Sequence, residues 1–147
     1  MDRKKILEAL APCGINCERC VGFAGGEIQK ASEVLKQGLE GFDKLAEKFS
    51  AFVPIFKNYK HFEEIVDFFA KADCTGCRYG TGKNTACKVM VCFKEKKVEF
   101  CAECEEFPCD KTGLDGDTFQ KWLENNNRIK EIGAEEFYKE SLTKNRY

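Results

Sequence analysis

Ten cysteines carry whatever chemistry this chain performs, and their spacing limits what that chemistry can be. Cys13, Cys17 and Cys20 fall within APCGINCERC at residues 11–20, and Cys74, Cys77, Cys87, Cys92, Cys101, Cys104 and Cys109 follow later. Three C-x-x-C pairs are present: Cys17/Cys20, Cys74/Cys77 and Cys101/Cys104. Two intervening residues let a tight turn aim both sulfurs at one ion, and a tetrahedral site then needs two further ligands from elsewhere. Each pair is therefore half a site, with Cys13, Cys87, Cys92 and Cys109 as complements. Two four-cysteine zinc sites would use eight of the ten thiolates, whereas three sites would need ligands other than cysteine. Residues 74–109 hold seven cysteines, one short of a two-zinc module, so at least one thiolate from residues 13–20 is expected to fold back onto them.

Other sulfur chemistries compete for the same residues. The C-x3-C-x2-C spacing of Cys13, Cys17 and Cys20 is the one with which radical S-adenosylmethionine enzymes hold an iron–sulfur cluster. Such enzymes enclose cofactor and substrate in much of a large parallel barrel, which 147 residues of mainly helical pattern do not supply. An electron-transfer cluster needs four cysteines, which are available, but the compact C-x2-C-x2-C run of bacterial ferredoxins is absent. Disulfide exchange by a C-x-x-C thiol lacks the βαβ pattern of thioredoxins. An iron–sulfur or redox protein built on Cys13, Cys17 and Cys20 is thus the alternative to zinc. No Ser/His/Asp set can be assembled, and His61, the sole histidine, reads as a surface residue of a helix rather than a ligand or base. No catalytic residue is assigned, and the reading leans away from an enzyme.

The elements that must position the cysteines are mostly helical. Residues 4–10 form a short helix that feeds Pro12, so the first cysteine cluster lies on a loop. In EIQKASEVLKQGLEGFDKLAEKFSAF, Ile28, Leu35, Leu39, Phe42, Leu45, Phe49 and Phe52 recur at three- and four-residue steps, which predicts one amphipathic helix ended by Pro54. Asn58 can cap a second helix reaching about Lys71, striped by Phe62, Ile65, Val66 and Phe69. Residues 72–111 lose helical periodicity and read as a loop-and-knuckle region, with short strands expected at residues 88–93 and 97–100. Asp117 and Gln120 fit a capping box before FQKWLENNNRIKEI, and Gly133 a left-handed cap. Residues 134–144 then make a last helix with Phe137 and Leu142 inward, while Trp122, Phe119, Leu123, Ile129 and Ile132 belong to the core.

Composition sets the frame. The apolar share is 43% and the charged share 33%, the balance of a folded globular domain. A formal net charge of -1 exerts no whole-protein pull on nucleic acid or an anionic membrane. No apolar run approaches a membrane span, and the first residues lack a signal-peptide core, so a cytoplasmic location is expected. Reducing conditions there favour metal over structural disulfides. Lys71, Arg78, Lys83, Lys88, Lys94, Lys96 and Lys97 crowd the cysteine-rich segment and are read first as counter-charges to thiolate sites. A nucleic-acid patch on Lys94, Lys96 and Lys97 is the alternative.

APCGINCERC at 11–20, CTGC at 74–77, CKVMVC at 87–92, KVEFCAECEEFPC at 97–109 and NRIKEIG at 127–133 resemble, in this order, the domain of unknown function 3795 family. That resemblance implies a small cysteine-rich protein that binds zinc and has no established activity. It also implies metal-ligand roles for all ten cysteines, with Pro108 shaping the turn before Cys109. Taken together, the reading is an α-rich α+β single domain over residues 1–147. Its parts are the cluster at 11–20, a helical insert at 27–71, the knuckle region at 72–111 and C-terminal helices at 117–144. Two or more structural zinc ions would hold it, and a protein partner would give it a role as a binding or adaptor module.

Overall fold

A computed structural model describes residues 2–80 and 82–147. The described chain is helical, with α1 (Arg3–Ala9), α2 (Glu27–Gly38), α3 (Asp43–Phe49), α4 (Tyr59–Ala70), α5 (Val89–Glu95) and α6 (Gly116–Thr143). Short 3₁₀ turns lie at Pro54–Asn58, Cys77–Tyr79 and Cys101–Glu103. The chain divides into two compact units, residues 1–18 with 74–147, and residues 19–73. Among the described residues of the first unit, an isolated antiparallel bridge joins Leu10 and Asn16.

The first unit is built on α1 and α6. Asp2 starts α1 by accepting a hydrogen bond from the Lys4 N–H, satisfying one of the donors a helix start leaves open. Ile6, Ala9 and Leu10 then pack against Phe100 and Ala102 and against Ile129, Ala134, Phe137 and Tyr138 of α6. α6 is two helical segments joined at Gly133, whose φ of 81° is open to glycine at little cost and breaks the ladder there. The break falls where the sequence places a cap. The helix start differs: Asp115, not Asp117, is the flanking residue, and its side chain makes no capping bond. Trp122, Ile129 and Phe137 are buried as expected, whereas Leu142 is 42% exposed, on the last turn before the chain leaves helical geometry at Lys144.

The strands expected at 88–93 and 97–100 do not form. Val89–Glu95 is helix α5, in which Val89 and Phe93 are buried one turn apart while Val91 faces solvent. Burial at i and i+4 outweighs the β-propensity of the two valines. Residues 97–100 run irregularly into the 101–103 turn, past Lys97 at φ 55°. A seam closes this region where the Lys88 N–H donates to the Thr112 carbonyl at 2.8 Å. Gly113 permits the approach: a Cβ there would lie 2.2 Å from the Ala86 carbonyl oxygen.

In the second unit the helix expected over residues 27–52 is broken into α2 and α3 by the turn at 39–42, where Gly41 adopts φ 77°. α4 matches the second expected helix. α2 and α4 lie antiparallel, with Gln29 Nε2 donating to the carbonyls of Ala70 and Ala72 at 3.0 and 2.9 Å and so covering the open end of α4. Lys36 and Lys71 both pair with Asp67. Phe42 forms the aromatic hub, its ring 5.2 Å from Tyr59, 5.7 Å from Phe56 and 6.3 Å from Phe49.

Candidate metal centre

The cysteines stand as thiols on loops, turns and one helix. Cys13 and Cys17 are buried on the loop after α1, Cys77 opens a 3₁₀ turn, and Cys87 sits on the loop before α5. Cys92 lies on α5, Cys101 opens the last 3₁₀ turn with Cys104 just past it, and Cys109 follows the cis Phe107–Pro108 peptide bond. Cys74 begins the returning segment of the first unit, and Cys20 belongs to the second unit.

Two groupings emerge within the first unit. Burial pushes the Cys13 thiol far above its ordinary range; the backbone at Ile15 pulls it partly back, and the thiols of Cys77, Cys17 and Cys87 push it higher. Cys17, Cys77 and Cys87 thus all lie near enough to act on Cys13, although Cys87 stands 74 positions along the chain from it. The second grouping is clearer, because Cys92, Cys101, Cys104 and Cys109 all line one apolar cavity of about 30 Å³, together with Phe93, Phe107 and Trp122. That volume holds about one water molecule or a single ion. Burial pushes Cys101 up to about 11, Trp122 draws it back, and Cys92, Cys109 and Cys104 add to the push. Cys92 is raised too, by burial first and then by Cys104 and Cys109. Among the described residues, no three His, Cys, Asp or Glu side chains stand in an arrangement that could hold a metal ion as placed.

Around the second grouping are groups with a charge or a proton to offer. Lys96 and Lys111 line the same cavity, and both are held by Glu106. Lys111 first and Lys96 second bring the Glu106 carboxyl down to about 2. The Trp122 indole N–H is buried without a well-formed hydrogen bond, and it acts on the Cys101 thiol, drawing it down. A thiolate there would accept that donor. The donor set fits a thiophilic cation: four soft sulfurs, one N–H directed at a sulfur, and two ammonium groups at the rim.

The backbone carrying the cysteines is pinned from α6. Asn126, fully buried, donates from Nδ2 to the carbonyls of Cys13 at 3.0 Å and Trp122 at 2.9 Å, and accepts from the Ala102 N–H at 2.9 Å. Pro12 and Cys101 are joined directly, the Cys101 N–H donating to the Pro12 carbonyl at 3.0 Å. Neither Asn126, in the polar run ENNNR, nor Lys111 and Glu106 stood out in the sequence, since nothing in spacing marks a polar helix residue that turns inward.

The cations singled out in the sequence have varied roles. Arg78 serves the fold: Nε donates to the Leu7 carbonyl at 2.9 Å, Nη1 to Glu99 at 3.0 Å and Nη2 to Leu10 at 3.1 Å. Its guanidinium also lies over Phe100 and Phe93, at 5.1 and 5.5 Å. Lys71 is committed to Asp67, and Lys94 lies over Phe93. His61 is exposed and 3.5 Å from Glu64. No helix of the described residues is long and apolar enough to cross a membrane.

No curated protein and no solved structure matches this chain. The family model described as "Protein of unknown function (DUF3795)" matches residues 9–114, a span that takes in all ten cysteines, both sulfur groupings and the cavity-lining lysines. The chain belongs to that family.

Proposed function

We propose that this is a metal-binding protein in which two four-thiolate zinc sites, Cys13/Cys17/Cys77/Cys87 and Cys92/Cys101/Cys104/Cys109, staple the first unit into a binding module. The observation that carries the reading is the convergence of Cys92, Cys101, Cys104 and Cys109 on one ion-sized cavity. Zinc bound there would cross-link segments that apolar burial alone holds loosely, adding folding free energy directly. Binding would require the four side chains to turn their sulfurs toward one centre in the cavity. A zinc tetrathiolate carries about two negative charges, which Lys96 and Lys111 would offset in part, since Glu106, which holds both ammonium groups in place, returns one negative charge. Trp122 would donate to the Cys101 sulfur and fix its orientation. The cavity suits a single ion better than a four-iron cluster, which favours zinc over the iron–sulfur alternative.

The test is elemental analysis of protein purified without oxygen. About two zinc per chain in a colourless protein is expected, falling to about one in Cys101→Ser/Cys104→Ser. Iron with a brown colour would replace this reading with the cluster alternative, and metal-free protein with oxidised cysteines would end both.

A further inference from the structure

The second unit leaves much of its apolar surface in solvent. Within residues 19–73 only Gly26, Ser32, Ala46 and Val66 are buried. Phe52, Phe68 and Ile55 are 86%, 70% and 67% exposed. Exposed apolar patches can mark interaction sites on proteins. Two hollows shape this surface. Leu39, Phe42, Ile55, Phe56, Tyr59 and Phe62 line an apolar one of about 540 Å³. Leu39, Tyr59 and Phe62 also line a second, of about 760 Å³, along α2 and α4. The second hollow is acidic. Glu33, Glu40 and Glu63 face it with no ion-pair partner among the described residues, while its two lysines, Lys36 and Lys71, are both spent on Asp67. No cysteine lines either hollow.

We propose that this continuous groove docks a cationic amphipathic helix of a partner protein. Apolar side chains of that helix would seat among Leu39, Phe42, Ile55 and Phe62, and its lysines or arginines would face Glu33, Glu40 and Glu63. Charge decides among occupants. A second copy meeting this face by twofold symmetry would set two equally acidic hollows against each other. An anionic membrane surface or a nucleic acid would be repelled by the same carboxylates. A cationic helix satisfies both halves of the groove at once, the recognition mode in which an amphipathic helix lays its apolar stripe into a hollow. The groove runs along α4, whose twelve residues span about 18 Å, so about three turns of partner helix are engaged.

Two labelled 14-residue peptides that share one leucine and phenylalanine stripe, flanked by lysines in one and by glutamates in the other, test this against the full chain by fluorescence anisotropy. The lysine peptide is expected to bind at least about tenfold more tightly than the glutamate peptide and to weaken as salt rises. Glu40→Lys/Glu63→Lys should cost about tenfold, Ile55→Ser several-fold, with unchanged melting curves, and Glu8→Lys in the first unit should cost nothing. Equal binding of both peptides, binding of neither, or binding indifferent to Glu40→Lys/Glu63→Lys overturns the proposal. So does an Ile55→Ser-sensitive homodimer in sedimentation, or adsorption to phosphatidylserine vesicles through the same residues.

Discussion

Asn126 holds Cys13 in place: the amide of a fully buried α6 residue donates to the carbonyl of the first cysteine at 3.0 Å, while its oxygen receives the N–H of Ala102, next to Cys101. One side chain therefore sets the spacing between the backbones that carry the two sulfur groupings. Asn126→Ala would orphan the Ala102 N–H and the Cys13 carbonyl in a dry interior. Each unsatisfied buried group costs about 1–3 kcal/mol, so a loss of about 3 kcal/mol is expected in denaturant unfolding. Asn126→Asp should fare little better, because it loses both donors. A midpoint within experimental error of wild type would show that the network does not bear on the fold.

Arg78 supports the same frame from the other side. The last carbonyls of a helix have no intrahelical donor, and the guanidinium satisfies Leu7 and Leu10 at the end of α1 while holding Glu99. A lysine has no planar fork and cannot serve three carbonyls in three directions. Arg78→Lys is expected to destabilise by about 2 kcal/mol, and Arg78→Met, which also leaves the carbonyls bare, by as much or more. Thermal unfolding of the two variants beside wild type measures it. Equal stability of the lysine variant and wild type would mean that charge alone, not the fork, is what the site uses.

Much of this architecture was legible in the sequence, and what was not has a common cause. Periodicity located α4 and the two segments of α6, because a stripe of apolar residues is a local property. The glycine at 133 marked its break for the same reason. α5 is not legible, because KVMVCF offers β-branched residues without showing that Val89 and Phe93 share a buried face. The sulfur groupings were less legible still. C-x-x-C spacing pairs neighbours such as Cys17 and Cys20 but does not say which distant thiols join them, and those acting on Cys13 include Cys77 and Cys87. Chain closure over such distances depends on the packing of α1, Phe100 and α6, which no local spacing encodes. Trp122 illustrates the limit: its pattern says core, and only the fold shows an indole N–H turned toward Cys101.

Trp122→Phe isolates that donor. Phenylalanine keeps most of the packing against Phe107 and Phe119, whose rings both lie 5.1 Å from the indole, and deletes the N–H. If the Cys101 sulfur is a metal-bound thiolate, losing a donor to it should weaken zinc binding by about tenfold, the scale of other outer contacts to metal ligands. Competition against a chromogenic chelator under reducing conditions reads this, and amide exchange in residues 72–111 should accelerate first on full chelation. Affinity unchanged by the substitution would place the indole in the core and nothing more.

Acid sensitivity gives a prediction independent of sulfur. Arg128 first and Lys144 second bring the Glu140 carboxyl down to about 2, against about 4.3 for a glutamate in an unfolded chain. A carboxyl whose pKa falls on folding stabilises the native state fully above its unfolded value and loses that contribution as pH drops toward its native one. Wild type should therefore melt above Glu140→Gln at pH 7, with the gap narrowing between about pH 5 and pH 2 and closing below it. Comparing the two proteins at each pH cancels any thiol or metal protonation common to both. The pair is partly exposed to solvent, so added salt should shrink the gap at pH 7 as well. Because glutamine keeps the stem of Glu140, a gap constant from pH 7 to pH 2 would show that the Glu140 charge is not what separates the two proteins.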